Sequence, residues 1–292
     1  MGQITYEIEY NLKESVPISD FLKKHSPLSG RSLRIYFFKG LIHRNGKKAH
    51  SQTRLKPGDH ITIYALSENH NKLEDEPIPI KIVYEDQNLL VIDKPALLAV
   101  HPSGAIKSGT LANAVAYYFN EIGLKSKVRP VNRLDYGTSG LIIFAKNAKT
   151  QELLSEEIKK GQIDRVYYTV VAGLVEVDRG IIDLSINEQN GTRKIGSNGK
   201  KALTEYQTLK RLKNATLLEV SLQTGRTHQI RIHLSAIGHP IYGDIQYGKK
   251  TSLIKRPALH AGKLVFHNSA FSVPELQAHW PDDFQKLIDN LV

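Results

Sequence analysis

The sequence predicts an α+β protein in which a small α/β unit precedes a larger domain built on a mostly antiparallel mixed sheet. Three observations lead there. Strand-like segments rich in β-branched residues and tyrosine outnumber the helical ones, which are inserted among them. A polar stretch at 67–79, with Glu74-Asp75-Glu76 and prolines at 77 and 79, divides residues 1–66 from residues 80–292 as a linker does. No glycine-rich phosphate loop occurs, which argues against the nucleotide-cofactor folds.

In chain order, Ile4, Tyr6, Ile8, Tyr10 and Leu12 alternate with polar residues, a strand pattern and not that of a signal or transit peptide. A short helix is expected from Ile18, interrupted at Pro27, and a second from about Arg31 to Lys39, stopped at Gly40. Asn45-Gly46 marks a hairpin, and Pro57-Gly58-Asp59 a turn before the alternating His60–Tyr64. Further on, Lys81–Tyr84 and Leu89–Ile92 read as strands. Leu111, Val115, Tyr118 and Ile122 recur at spacings of four, three and four, one face of a helix. Leu141–Ala145 is a buried strand, and Glu152–Lys160 a helix closed by Gly161. Val166–Ala172, Thr204–Lys210 and Thr216–Leu222 are strands, and a helix from roughly Thr227 to Ile237 ends at Gly238 and Pro240.

Composition removes several classes. The 292 residues are 40% hydrophobic and 24% charged, ordinary for a globular protein and unlike a disordered one. No apolar run approaches the ~20 residues that span a bilayer, and the chain has no cysteine, so disulfides and thiolate metal sites are excluded. A soluble cytoplasmic protein is expected. Its net charge of +11 fits either a nucleic-acid partner or a solvated basic surface. Distribution favours the first: ten Lys or Arg and no Asp or Glu fall between Lys23 and Lys56, in a stretch with the periodicity of folded elements.

Four segments concentrate polar residues and glycine beside strands. In Asn132-Arg-Leu-Asp-Tyr-Gly-Thr-Ser-Gly-Leu141, Arg133 and Asp135 alternate with Leu134 and can share one face of an extended segment. From these residues alone, a structural turn with Asp135 as a local cap is the favoured reading. Thr224–His233 (TGRTHQIRIH) suits an anion site at a helix start. His228 and His233 are five apart, a poor fit to a helical zinc pair. Gly238–Gly248 reads as a structural connection, and Tyr167 shares a strand face with Thr169 and Val171, where packing explains a tyrosine.

Taken together these segments resemble one family. RLDYGTSGL, the Tyr-bearing strand ending in glycine, GKKALTEY, TGRTHQIRIH, GHPIYGDIQYG and LHAGKLVF, in that order, are similar to the RluA-type pseudouridine synthases, and IVYEDQNLLVIDKP with Val100-His-Pro-Ser resembles the start of the same catalytic domain. The likeness covers about residues 80–280. It implies conversion of uridine in RNA to pseudouridine: the bond from ribose to N1 of uracil breaks, the base rotates, and carbon 5 joins the ribose. It also implies Asp135 as the essential carboxylate, Arg231 beside it, Tyr167 against the uracil, and Arg133 filling the gap left by the extruded nucleotide. A carboxylate beside the sugar, as nucleophile or base, suits cleavage of a glycosyl bond, and an adjacent arginine favours its charged form. No metal, nucleotide or organic cofactor is expected. Large-subunit ribosomal RNA is the implied substrate, transfer RNA the alternative, with a monomer acting without an obligate protein partner.

The first unit resembles the small αL RNA-binding module named for a small-subunit ribosomal protein, which places Arg31, Arg34, Lys39 and Arg44 as RNA contacts. Two departures from the family stand out: Asn132 where most relatives have His, and Leu97 where the loop after Lys94-Pro95 usually carries Gly, a difficulty because Leu tolerates positive φ poorly. Two other functions compete. A catalytically silent RNA-binding factor is disfavoured by the intact Asp135, Tyr167 and Arg231 set. A glycosidase needs two carboxylates flanking the bond, and no motif places a second acid beside Asp135.

Overall fold

The computed structural model describes residues 4–64, 73–189, 191–267 and 269–292, without the side chains of Thr5, Arg31 and Gln189. The chain divides into two compact units, Met1–Asn69 and His70–Val292.

The first unit runs β1 (Ile4–Tyr10), α1 (Ile18–His25), α2 (Gly30–Phe38), β2 (Ile42–Arg44), β3 (Lys47–Lys48) and β4 (Asp59–Tyr64). Its antiparallel strands lie in the order β1-β4-β2-β3, with the expected hairpin joining β2 and β3. Alternate residues of β4 are buried, and Ile61 and Ile63 pack with Tyr10, Ile18, Leu22 and Leu33 as a core of their own. Arg34 and Lys39 are exposed, and the Arg31 side chain lies outside the described residues. Arg44 is tied inward: its Nη1 donates to the Arg54 carbonyl at 2.8 Å and its Nε lies 3.6 Å from Asp59.

The second unit runs β5 (Ile82–Glu85), β6 (Leu89–Lys94), α3 (Leu111–Glu121), β7 (Arg129–Pro130), β8 (Ser139–Ala145), α4 (Ala148–Lys159), β9 (Ile163–Ala172), β10 (Arg179–Asp183), β11 (Ile186–Gln189), β12 (Thr192–Ile195), β13 (Leu203–Leu212), β14 (Ala215–Leu222), α5 (Gln229–Ala236), β15 (Leu259–Phe266), β16 (Leu276–Gln277) and α6 (Asp282–Leu291). Ten strands form one sheet along β10-β13-β14-β9-β15-β8-β6-β5, with β16 beside β15 and β7 beside β8. Among the described residues only β8 and β15 pair in parallel, so the predicted mostly antiparallel α+β architecture holds. The apolar run of β8 is explained by burial on both faces. Ile142 and Phe144 pack with α3 and α6, while Leu141, Ile143 and Ala145 pack with Leu154 of α4.

Three expectations need adjustment. The helix read from Glu152 begins at Ala148, because the Asn147 side chain accepts the Thr150 N–H at 2.8 Å and caps it. The helix read from Thr227 begins at Gln229, because His228 takes φ 59°, outside the helical region. The stretch 67–79, expected as a linker, is described only from Leu73, and that end is fastened to α3. Asn113 Nδ2 donates to the Glu74 carbonyl at 2.7 Å, and the Glu76 carboxylate accepts the Gly109 N–H at 2.8 Å. Among the described residues no helix is long and apolar enough to cross a membrane.

Candidate active site

Asp135 is positioned by the strand that follows it. Residues 129–132 run antiparallel to β8: Val131 N–H donates to the Ile143 carbonyl and Asn132 Oδ1 accepts the Ile143 N–H, both at 2.8 Å. The chain reverses through a turn in which Thr138 N–H donates to the Asp135 carbonyl at 3.0 Å, then enters β8. Asn132 therefore anchors this segment by its side-chain oxygen. Gly140 (φ 108°) is required by the parallel pairing, since a Cβ there would lie 2.1 Å from the Ala261 carbonyl oxygen.

The turn presents Asp135 to a cavity of about 590 Å³, within the range of small-ligand sites. Arg133, Arg165, Tyr167, Arg226, His228 and Arg231 share its wall. Arg231 Nη1 lies 3.3 Å from Asp135 Oδ2. The guanidinium is held from behind by Asp244, whose carboxylate accepts from Nε at 2.6 Å and Nη2 at 2.9 Å. Gln246 adds a bond at 3.2 Å, and the Tyr247 ring lies 5.0 Å below the guanidinium carbon. A charge fixed by two-pronged hydrogen bonding has little freedom to leave its carboxylate neighbour. Asp244 stays in place because its Oδ1 also accepts the N–H groups of Gln246 and Tyr247. Gly243 (φ 73°) lets this loop pass the Arg256 carbonyl, 2.2 Å from where a Cβ would stand.

Tyr167 contributes a buried ring to the wall, 5% exposed, and among the described residues none hydrogen-bonds its hydroxyl. Burial raises its pKa, opposed by Arg165, so the phenol is neutral at pH 7. Arg165 Nε is buried without a protein partner, while its Nη2 donates to the Leu222 carbonyl. Arg133 is exposed at the rim.

Behind the site Lys94 is fully buried, and its ammonium nitrogen bonds the Pro95 and Leu98 carbonyls at 2.8 and 2.9 Å. Burial, and then repulsion from Arg256, push its pKa down to about 7 against the attraction of Asp135. The loop it clasps contains Leu97 at φ 60°. The leucine thus occupies the left-handed conformation that glycine would adopt freely, and the clasp holds it there.

The structure brings Asp135, Tyr167, Arg231 and Arg133 to one cavity. Arg34, Lys39 and Arg44 lie in the other unit and line none of it. Sequence reasoning assigned no role to Asp244, Gln246, Tyr247 or His228. The segment Gly238–Gly248, read as a connection, is the clamp on Arg231, and no local sequence signal marks it as one. His233 is internal: its ring nitrogens meet Thr204 Oγ1 and the Leu184 carbonyl, both at 2.9 Å.

The chain is similar to known proteins. A family model described as RNA pseudouridylate synthase matches residues 88–236. The uncharacterized RNA pseudouridine synthase YlyB of Bacillus subtilis is 37% identical, over 86% of each chain. Ribosomal large subunit pseudouridine synthase D of Pasteurella multocida is 33% identical over 100% of this chain and 96% of its own. The solved structure of human RNA pseudouridylate synthase domain containing 1 matches with a TM-score of 0.58 at 26% identity, covering 71% of this chain and 85% of that one.

Proposed function

The chain belongs to the RNA pseudouridylate synthase family, and on that premise we propose that it isomerises uridine in large-subunit ribosomal RNA with Asp135 as the catalytic carboxylate. The observation that carries the proposal is the Asp135–Arg231–Asp244 chain at the wall of a cavity of nucleotide size. Cleaving the bond between ribose and N1 needs an ionised carboxylate next to the sugar. A guanidinium fixed 3.3 Å away orients that carboxylate whether it attacks carbon 1′ or takes a proton from carbon 2′.

The remaining roles follow from position. The Tyr167 ring offers a face to the extruded uracil, and its unclaimed hydroxyl is free to hydrogen-bond that base. Arg133, exposed at the rim, can stack in the gap the uridine leaves, offsetting an unstacking cost of a few kcal/mol. The +11 charge and the exposed Arg34 and Lys39 of the first unit, taken as residues 1–66, support RNA binding there by phosphate neutralisation. The reading includes a monomer acting in the cytoplasm without cofactor. The substrate is taken from the relatives named for the large ribosomal subunit.

The test is carbodiimide mapping of pseudouridine in ribosomal and transfer RNA from cells with and without the gene. A large-subunit site that disappears, then returns with wild type but not with Asp135→Asn, is the expected result. Restoration by Asp135→Asn removes the carboxylate from its role, and a site lost from transfer RNA instead replaces the substrate.

A further inference from the structure

We infer that His228 is a positioning and specificity residue that, together with Asp135, reads the 2′-hydroxyl of the target nucleotide. The inference rests on the proposed reading of the cavity as a uridine site and adds a group to it.

His228 is the residue before α5 and lies in the left-handed region at φ 59°. A non-glycine residue held there costs of order 1–3 kcal/mol, which surrounding contacts must offset, and such positions cluster at functional sites. The conformation turns the imidazole to the cavity wall. There Nδ1 is 2.9 Å from the Tyr247 hydroxyl and Nε2 is 3.8 Å from Asp135 Oδ2. The ring is three-quarters or more enclosed, with its side chain 18% exposed.

Charge decides which nitrogen carries the proton. Burial is the first cause lowering the pKa of His228, assisted by Arg231 and Arg193 and opposed by Asp135, so the ring is neutral at pH 7 and has one N–H. A lone pair on Nε2 would face a carboxylate oxygen and be repelled, so the proton sits on Nε2. Nδ1 is then the acceptor and the Tyr247 hydroxyl its donor. Burial also raises the Tyr247 pKa, which keeps that donor protonated. Tyr247 meanwhile lies under the Arg231 guanidinium, so one side chain orients both neighbours of Asp135.

The gap between Nε2 and Oδ2 is too wide for a direct hydrogen bond, yet one oxygen can stand about 2.8 Å from both atoms. That oxygen must accept from an N–H and donate to a carboxylate at once. A hydroxyl does both, a carbonyl or a phosphate only accepts, and the 2′-hydroxyl is the group that distinguishes RNA from DNA. A ribose placed for attack at carbon 1′ has that hydroxyl on the adjacent carbon, and one placed for proton removal at carbon 2′ has it on that same carbon. His228 thereby fixes the sugar relative to the carboxylate and rejects a deoxy-sugar, which leaves the half-buried Nε2 N–H without its acceptor.

The probe is the fragment of large-subunit ribosomal RNA that contains the mapped uridine, made with ribose or with 2′-deoxyribose at that nucleotide. Turnover of the ribose fragment gives kcat/KM, and the deoxy fragment, used as a competitive inhibitor, gives its Ki. Asn tolerates the left-handed conformation, so His228→Asn keeps the backbone while falling short of the ribose. We expect His228→Asn to lower kcat/KM on the ribose fragment by roughly 5- to 150-fold, the range for losing one buried hydrogen bond. The Ki of the deoxy fragment should stay within about twofold, because that sugar has no hydroxyl to lose. Tyr247→Phe, which leaves His228 in place and frees its tautomer, should show the same pattern with a smaller factor. A Ki that rises in parallel with the lost kcat/KM, or an unchanged kcat/KM, overturns the inference. A wild-type protein that forms no pseudouridine in the ribose fragment overturns the reading of the cavity itself, and that is seen before any variant is made.

Discussion

Removing the Asp244 carboxylate should unsettle both the second unit and its site, by an amount the geometry sets. Asp244 and Arg231 are each more than nine-tenths buried, joined by bonds of 2.6 and 2.9 Å. In Asp244→Ala the guanidinium keeps Asp135 at 3.3 Å and Gln246 at 3.2 Å as hydrogen-bond partners, with the Tyr247 ring beneath it, and the N–H groups of Gln246 and Tyr247 lose their acceptor. Breaking a buried pair from one side costs about 3–5 kcal/mol. For a unit the size of His70–Val292, where 1 kcal/mol moves Tm by about 2–4 °C, the fall is roughly 6–20 °C. Thermal unfolding followed by near-UV circular dichroism measures it, and pseudouridine formation under single-turnover conditions should drop about 100-fold as Arg231 swings toward Asp135. The double variant Arg231→Met/Asp244→Leu separates the effects. With both charges gone, stability should return to within about 1–2 kcal/mol of wild type while activity stays lost. A melting temperature for Asp244→Ala within about 2 °C of wild type, or a double variant no more stable than the single one, would refute the buried clamp.

Three further outcomes are expected. Lys94 has a pKa of about 7 folded and the ordinary amine value unfolded, so between these the unfolded chain binds the extra proton and stability rises with pH. Below about pH 7 both states are charged and the dependence ends. Against Lys94→Met, denaturant titrations from pH 7 to 10 should show wild type gaining up to about 1.4 kcal/mol per pH unit, and a constant difference would refute the burial argument. Leu97→Gly should stabilise the protein by about 0.5–1 kcal/mol, since a cost of about 1–2 kcal/mol at φ 60° outweighs the added freedom of glycine when unfolded; a lowered denaturation midpoint would contradict it. Reversing the charges of Arg34 and Lys39 should flatten the slope of log Kd against log salt for RNA binding by about two, and an unchanged slope would remove these side chains from the interface.

Elements were legible where local patterns decide them. The alternation of β1 and β4, the Asn45-Gly46 hairpin and the apolar run of β8 each correspond to an observed element. Two elements missing from the sequence-based expectations were legible by the same rules: α6, whose Phe284, Leu287, Ile288 and Leu291 follow helical spacing, and the β11–β12 hairpin, signalled in the sequence by an Asn-Gly pair between two strand-like segments. The start of α5 was not, because the left-handed conformation of His228 follows from what its ring meets, Tyr247 and Asp135, residues 19 and 93 positions away. The candidate site divides along the same line. Asp135 and Arg231 stand in short ordered strings, so resemblance finds them, yet nothing local says that an acid in Gly243-Asp244-Ile245 must hold the arginine of another segment. Asp244 shares no side-chain bond with Asp135; it reaches that carboxylate only through Arg231. A residue whose effect is transmitted through a second side chain has no sequence spacing of its own to betray it. Its necessity becomes visible only when burial shows that a guanidinium, cut off from water, requires a second anion behind the first.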